Sequence, residues 1–322
     1  MRLSLDQSKI SIVIPVYRNE GSVRELYFRL VDAIQTLHKD LNYQIIFVDD
    51  GSDDNSLQEL LAVQSQDLKV TVIKLSKNFG QFAANNAGFQ IADGDIVVNM
   101  SADLQDPPEL IVPMINRLMG EDDIVLAVRA KTEEKLFKKM TSWLHYSLVA
   151  ISVPAFPKGG FDFWAVNRKA FNAFMSFNDV IRRNQIDLLS IGFKIGTVEY
   201  NKLARPHGTS QYNFFKRLDI SISQILASAF WPLRLASTVG LLFTGTGAIY
   251  AIYLILSYLL SDTSFQGWTS IMMMLLIIGG MIMSTLGIMG EYLWRIYFET
   301  KQRPLYFIDR IYSGASEDND ET

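Results

Sequence analysis

A chain of 322 residues is long enough for about two domains, and with 49% hydrophobic against 20% charged residues it is apolar for a water-soluble enzyme. Thirty basic residues against 34 acidic ones give a formal net charge of −4, so there is no global positive field with which to collect nucleic acid. Cysteine is absent, which excludes disulfides, thiolate metal sites and cysteine nucleophiles, and three histidines (His38, His145, His207) are too few for a His-rich metal site.

The N-terminal residues Met1–Lys9 run straight into a strand pattern with no apolar signal-peptide segment. Ile10–Val16, Tyr43–Val48, Lys69–Leu75, Asp95–Met100 and Ile124–Val128 read as strands, nearly continuously apolar and rich in Ile and Val, as buried parallel strands are. Between them Ser22–Leu37, Asn55–Gln66, Gln81–Ala92 and Pro107–Met119 read as helices, the last opened by proline. Such a βαβ series predicts an α/β fold with a mostly parallel, Rossmann-like sheet covered by helices on both faces. Lys131–Ile151 mixes lysines with Phe137, Trp143 and Leu144, a pattern that suits an interfacial helix and also an ordinary solvated one.

Further on, the amphipathic stretch Phe214–Phe230 precedes two charge-free runs, Leu235–Leu260 and Thr263–Gly290, each longer than the roughly 20 residues that span a bilayer. Two transmembrane helices are expected. Basic residues flank the pair (Lys216, Arg217 and Arg234 before it; Arg295, Lys301 and Arg303 after), while the intervening loop carries only Asp262. The positive-inside rule then places both long ends in the cytoplasm, as a multi-pass protein of the cytoplasmic (inner) membrane. The predicted organisation is a cytoplasmic domain over 1–212, a juxtamembrane helix over 213–234, two spans over 235–292 and a cytoplasmic C-terminal segment over 293–322 with a disordered acidic tail. No internal repeat is visible.

In a parallel sheet ligands bind at the carboxyl ends of the strands. The first strand ends in Pro15-Val16-Tyr17-Arg18-Asn19-Glu20, without G-x-G-x-x-G, and G-x-x-x-x-G-K-[ST] occurs nowhere, which argues against a dinucleotide dehydrogenase and a P-loop hydrolase. The second ends in Asp49-Asp50-Gly51-Ser52-Asp53-Asp54, whose carboxylates can accept from a ribose diol or a base N–H, although an acidic turn capping the next helix is the commoner explanation. The fourth runs into Ser101-Ala102-Asp103-Leu104-Gln105-Asp106-Pro107-Pro108. There Asp103 and Gln105 can present oxygen ligands to a hard divalent cation, and Asp106 reads equally as a helix cap.

Together Ile14–Glu20, Phe47–Asp54, Leu75–Gly80, Asp93–Pro108, Phe161–Arg168, Arg205–Tyr212 and Gly290–Tyr306 resemble, in order, the family-2 glycosyltransferases. Within that family they are most similar to the polyprenyl-phosphate group of dolichyl-phosphate mannose synthase and the bacterial undecaprenyl-phosphate (bactoprenol) sugar transferases. Gly290–Tyr297 with Arg303-Pro304-Leu305-Tyr306 resembles the undecaprenyl subgroup's C-terminal signature.

The resemblance implies a glycosyltransferase A fold and inverting transfer of one sugar from a nucleoside diphosphate sugar, expected to be a UDP-hexose, to a polyprenyl phosphate in the membrane. It implies that Pro15, Tyr17, Glu20, Asp49, Asp50, Lys77 and Asp103 hold the nucleotide sugar. Asp103 and Gln105 hold Mg²⁺ or Mn²⁺, and Asp162 is the catalytic base or orienting group. Arg205, Ser210 and Tyr212 receive the acceptor phosphate. Four positions depart from the family pattern: Lys77 stands where Arg is usual, Ser101 where Asp is usual, Trp164 where Arg is common and Gln211 where Lys is usual. The Trp164 departure is expected to alter acceptor or donor contacts. A homo-oligomer is expected, as is a downstream flippase or glycosyltransferase that takes the product. The rivals are a catalytically degenerate scaffold and a processive polysaccharide synthase; the latter's Q-x-x-R-W motif is absent.

Overall fold

The computed structural model describes residues 8–130, 156–157, 160–177, 184–201, 267–301 and 303–314, with scattered positions between 238 and 260. The chain divides into two compact units, Met1–Phe214 with Arg303–Thr322, and Phe215–Gln302.

The first unit is built on an eight-stranded sheet. In chain order its elements are β1 (Lys9–Val16), α1 (Val23–Leu37), β2 (Asn42–Asp49), α2 (Ser56–Gln64), β3 (Val70–Leu75), α3 (Gln81–Ile91) and β4 (Ile96–Asn99). A single 3₁₀ turn, Pro108–Leu110, leads into α4 (Ile111–Gly120), followed by β5 (Ile124–Arg129), β6 (Trp164–Asn167), α5 (Arg168–Met175), α6 (Asn184–Ser190) and β7 (Ile195–Tyr200). The last strand, β8 (Ile308–Tyr312), comes from beyond the long helix α7 (Trp268–Thr300).

Strand order is β7-β5-β6-β4-β1-β2-β3-β8. The β4-β1-β2-β3 centre is parallel throughout, as the apolar runs predict. Its flanks differ from the expected series. β6 lies antiparallel between β4 and β5, and β8 lies antiparallel on β3, so the sheet is mixed. The antiparallel strands matter to the site, because the start of such a strand lies at the carboxyl edge of its parallel neighbours.

Side chains alternate across this sheet and feed two cores. Ile10, Ile12 and Ile14 pack with Leu26, Leu30 and Met114 beneath α1 and α4. Val13, Ile46 and Val48 pack on the opposite face with Phe89, Trp164 and Phe174. Phe89 centres an aromatic cluster, with ring centroids 5.4 Å from Trp164 and 5.8 Å from both Phe171 and Phe174. Trp164, 1% exposed, is therefore a core residue of this cluster and not a side chain open to a donor or acceptor. Truncating such a buried aromatic costs about 3–5 kcal/mol.

In the second unit, α7 has 33 residues, about 50 Å at a rise of about 1.5 Å per residue. Its stretch Ile277–Trp294 has a mean hydropathy of 1.2 and no buried residues, and among the described residues it is the one helix long and apolar enough to cross a membrane. The second predicted span, Thr263–Gly290, thus falls largely on a helix that continues ten residues further, to Thr300. The described positions of the first predicted run are helical, with Leu242, Ile249 and Leu260 exposed. The segment after α7 supplies β8 to the first unit's sheet, where the sequence pattern had indicated only a cytoplasmic extension.

Candidate active site

The strand order reverses at β1, which has β4 on one side and β2 on the other, so the loops after β1, β2 and β4 meet at a topological switch point. Among the described residues, two non-glycine residues adopt left-handed backbone: Arg18, at φ 53°, in the loop after β1, and Leu104, at φ 56°, in the loop after β4. Such conformations persist where the surroundings over-determine them and concentrate at functional sites.

The loop after β1 is locked to the turn after β2. Arg18 makes a forked ion pair with Asp53, both contacts at 2.6 Å, and its N–H donates to the Ser52 hydroxyl at 3.2 Å. The N–H of Asn19 donates to Ser56 Oγ at 2.8 Å, and Asn55 Nδ2 donates to Glu20 Oε1 at 2.6 Å. Glu20 therefore ties the two loops together. Asp50, only 3% exposed, does the same for the loop after β3: its two oxygens accept from the N–H groups of Phe79 and Gly80 at 2.7 and 2.9 Å. Gly51, at φ 67°, passes so close that a Cβ there would lie 2.5 Å from the Lys77 carbonyl carbon. No residue but glycine fits.

Asp49 is different. It is completely buried; Oδ1 accepts from Ser52 N–H at 3.3 Å, whereas Oδ2 has no hydrogen-bond partner among the described residues. Burial pushes its carboxyl above the usual range, against the pull of its hydrogen bonds with Ser52. A buried oxygen without a partner marks a polar group that the protein itself does not supply. Pro15 is buried beside this turn, Tyr17 is half-buried under the Arg18 guanidinium at 5.4 Å from its ring centroid, and Lys77 is exposed with its ammonium 5.2 Å from the Phe79 ring centroid.

In the loop after β4, Asp103 Oδ1 accepts from the Ser101 hydroxyl at 2.6 Å and from Gln105 N–H at 3.2 Å. Asp103 offers a carboxylate and Gln105 a side-chain amide oxygen, hard donors of the kind that suits Mg²⁺ or Mn²⁺ if substrate oxygens and water complete the shell. Among the described residues no group of three or more acidic or histidine side chains forms a metal cluster. Asp106 is buried and accepts from the Tyr200 hydroxyl of β7, and burial next to that carboxylate raises the Tyr200 hydroxyl far above its ordinary value.

Asp162, 40% exposed, precedes β6 and so joins the same edge. Asn99 Nδ2 donates to its carbonyl at 3.0 Å, stitching it to the end of β4. Its carboxylate is gripped from both sides: Arg129 donates to Oδ2 at 2.8 Å, and Gln185 Nε2 to Oδ1 at 2.9 Å. Burial pulls the Arg129 guanidinium down, but Asp162, Tyr200 and Asp106 together outweigh it and hold the group firmly protonated. Each Asp162 oxygen keeps a second lone-pair direction for a substrate. Sequence reasoning missed Arg129 and Gln185. Arg129 had a signal, a cation at the carboxyl end of a predicted strand, whereas Gln185 had none. Arg205, Ser210, Gln211 and Tyr212 lie outside the described residues.

Residues 11–184 match the family model for glycosyl transferase family 2. The chain is a family-2 glycosyltransferase. It is 37% identical over 308 residues to the uncharacterized glycosyltransferase YkcC of Bacillus subtilis, covering 94% of each chain. It is 30% identical to a prophage bactoprenol glucosyl transferase homolog of Escherichia coli, over 94% of this chain and 99% of that one. With the undecaprenyl-phosphate 4-deoxy-4-formamido-L-arabinose transferase of Aeromonas hydrophila it shares 32% identity over 97% of this glycosyltransferase and 96% of that protein.

Proposed function

We propose that this glycosyltransferase moves one sugar from a UDP-hexose to undecaprenyl phosphate at the cytoplasmic membrane face, with inversion, giving a lipid-linked sugar. The full-length likeness to proteins named for bactoprenol and undecaprenyl phosphate supports the acceptor. The observation that carries the reading is the placement of Asp162, held by Arg129 and Gln185, on the sheet edge that also bears Asp103.

In the reaction an acceptor phosphate oxygen attacks the anomeric carbon while the bond from that carbon to the β-phosphate oxygen breaks, and the nucleoside diphosphate leaves with the electron pair. A phosphate monoester has a second pKa near 6, so much of the acceptor is already a dianion and needs no strong base. Asp162 instead orients it. Two like charges must then approach each other, and Arg129 supplies the compensating cation, with Arg205, Ser210 and Tyr212 as further acceptor contacts. Asp49 accepts from the nucleoside, Pro15 and Tyr17 form its wall, and Lys77 takes a donor phosphate oxygen. Glu20 and Asp50, which also join the loops around the donor, are further contacts to it. Asp103 and Gln105 would hold Mg²⁺ or Mn²⁺, which when bound neutralises the leaving diphosphate.

The test is incubation of membranes carrying the full-length protein with a panel of labelled UDP-sugars and undecaprenyl phosphate. Organic-extractable label from one donor, lost on addition of EDTA and in Asp103→Ala, is expected, and Ser101→Asp should tighten metal affinity. Label insensitive to EDTA refutes the metal assignment. No label with any donor until Ser101→Asp is introduced favours a degenerate scaffold.

A further inference from the structure

The C-terminal signature Arg303–Tyr306 has no role in the reaction as described, yet it opens the segment most intimately joined to the donor loop Ser76–Gly80. That loop carries Lys77. From the β2 side it is fixed by Asp50, which takes the Phe79 and Gly80 N–H groups, and by Gly51 against the Lys77–Asn78 backbone. From the other side, among the described residues, it is met by residues from beyond α7. Ser76 N–H donates to the Phe307 carbonyl at 2.9 Å, and the Phe307 ring lies 6.1 Å from Phe79, tilted by 51°. Just below, Lys74 pairs with Asp309 at 2.5 Å, and β8 runs antiparallel to β3 from Leu75↔Ile308 to Val72↔Tyr312. Pro304, Leu305 and Tyr306 complete the contact by walling a cavity of about 330 Å³ with Asn86 and Gln90 of α3, the helix that the donor loop opens.

We infer that residues 303–312 are the outer jaw of a clamp on the donor loop, with Phe307 as a positioning residue that fixes where Lys77 meets the donor diphosphate. This rests on the donor reading given above. The inner jaw comes from β2 and the outer jaw from the chain that has just left the apolar helix. The donor site of this glycosyltransferase is therefore complete only when the C-terminal segment is docked, and the signature residues hold that segment on α3.

The Phe307 side chain is 57% exposed, so Phe307→Ala is compatible with folding. In full-length protein the variant should raise the KM for the UDP-sugar and weaken binding of uridine diphosphate by about fivefold, the equivalent of one lost aromatic contact. The KM for undecaprenyl phosphate and kcat should stay within about twofold. Amide hydrogen exchange at Ser76–Gly80 should quicken, and Phe307→Tyr, which keeps the ring, should restore both readouts. Equal losses in donor and acceptor KM, or unchanged exchange at 76–80, overturn the clamp. If wild-type protein does not bind uridine diphosphate, the donor reading fails instead. The exchange measurement then decides the clamp alone, and unchanged rates in Phe307→Ala reject it.

Discussion

The turn after β2 and the pair of loops around β4 and β6 use carboxylates in opposite ways. The first holds four acidic side chains within six residues, and Asp50, Asp53 and Asp54 all accept hydrogen bonds from neighbouring loops. The second brings Asp103 and Asp162 together from distant parts of the chain. Density of charge in the sequence thus marks the scaffold. Asp162 stands apart from any acidic run and is held by Arg129 and Gln185, 33 and 23 residues away in the chain.

Three substitutions probe this contrast. Asp162→Asn has the largest expected effect. It should lower kcat by about a hundredfold or more, the range for a lost acid–base or orienting group, while binding of uridine diphosphate stays within about twofold. Near-normal turnover in a steady-state assay would remove Asp162 from the catalytic role.

Asp50→Asn should act in the reverse sense, on stability first. An amide offers one acceptor where two N–H donors converge, so one charge-assisted hydrogen bond is lost and an N–H is left facing an N–H, about 2 kcal/mol in all. Thermal unfolding should fall by several degrees and the donor KM should rise, with kcat at saturating donor preserved. A kcat loss matching that of Asp162→Asn would place Asp50 at the reacting atoms.

The smallest effect is expected of Asp49→Asn, and it carries the opposite sign. Burial raises the Asp49 carboxyl, so the folded protein takes up this proton at a higher pH than the unfolded chain does. Its charge therefore weakens the fold above the folded pKa, and that penalty vanishes once pH falls below the unfolded value. The variant should unfold about 2 °C higher than wild type at neutral pH, an advantage that disappears toward the ordinary carboxylate range, while nucleotide affinity drops. A pH-independent difference in melting temperature would show that the charge is relieved in some other way.

The parallel centre of the sheet was legible residue by residue. Ile10–Val16, Tyr43–Val48 and Lys69–Leu75 fall within one residue of β1, β2 and β3, because buried parallel strands are continuous apolar runs bounded by turn residues. The antiparallel strands β6 and β8 were not. β6 has four residues and β8 reads Ile-Asp-Arg-Ile-Tyr, exposed along most of its length, so neither carries the hydrophobic signal of a central strand. Asp103 and Asp162 stand out in the sequence through their motifs. The grip of Arg129 and Gln185 on Asp162 spans 33 and 23 residues of chain and depends on β6 reversing direction, which no local pattern encodes.

The pairing of β3 with β8 also sets a clock. Lys74 and Asp309 are separated by 235 residues, and at about 5–20 residues per second a ribosome needs on the order of tens of seconds to travel between them. During that interval the outer edge of β3 waits for its final strand, while the apolar helix α7 is synthesised. A bare strand edge is a template for pairing with other chains. The nascent protein passes through an aggregation-prone stage while that apolar segment emerges, and the sheet gains β8 only after α7 has been made.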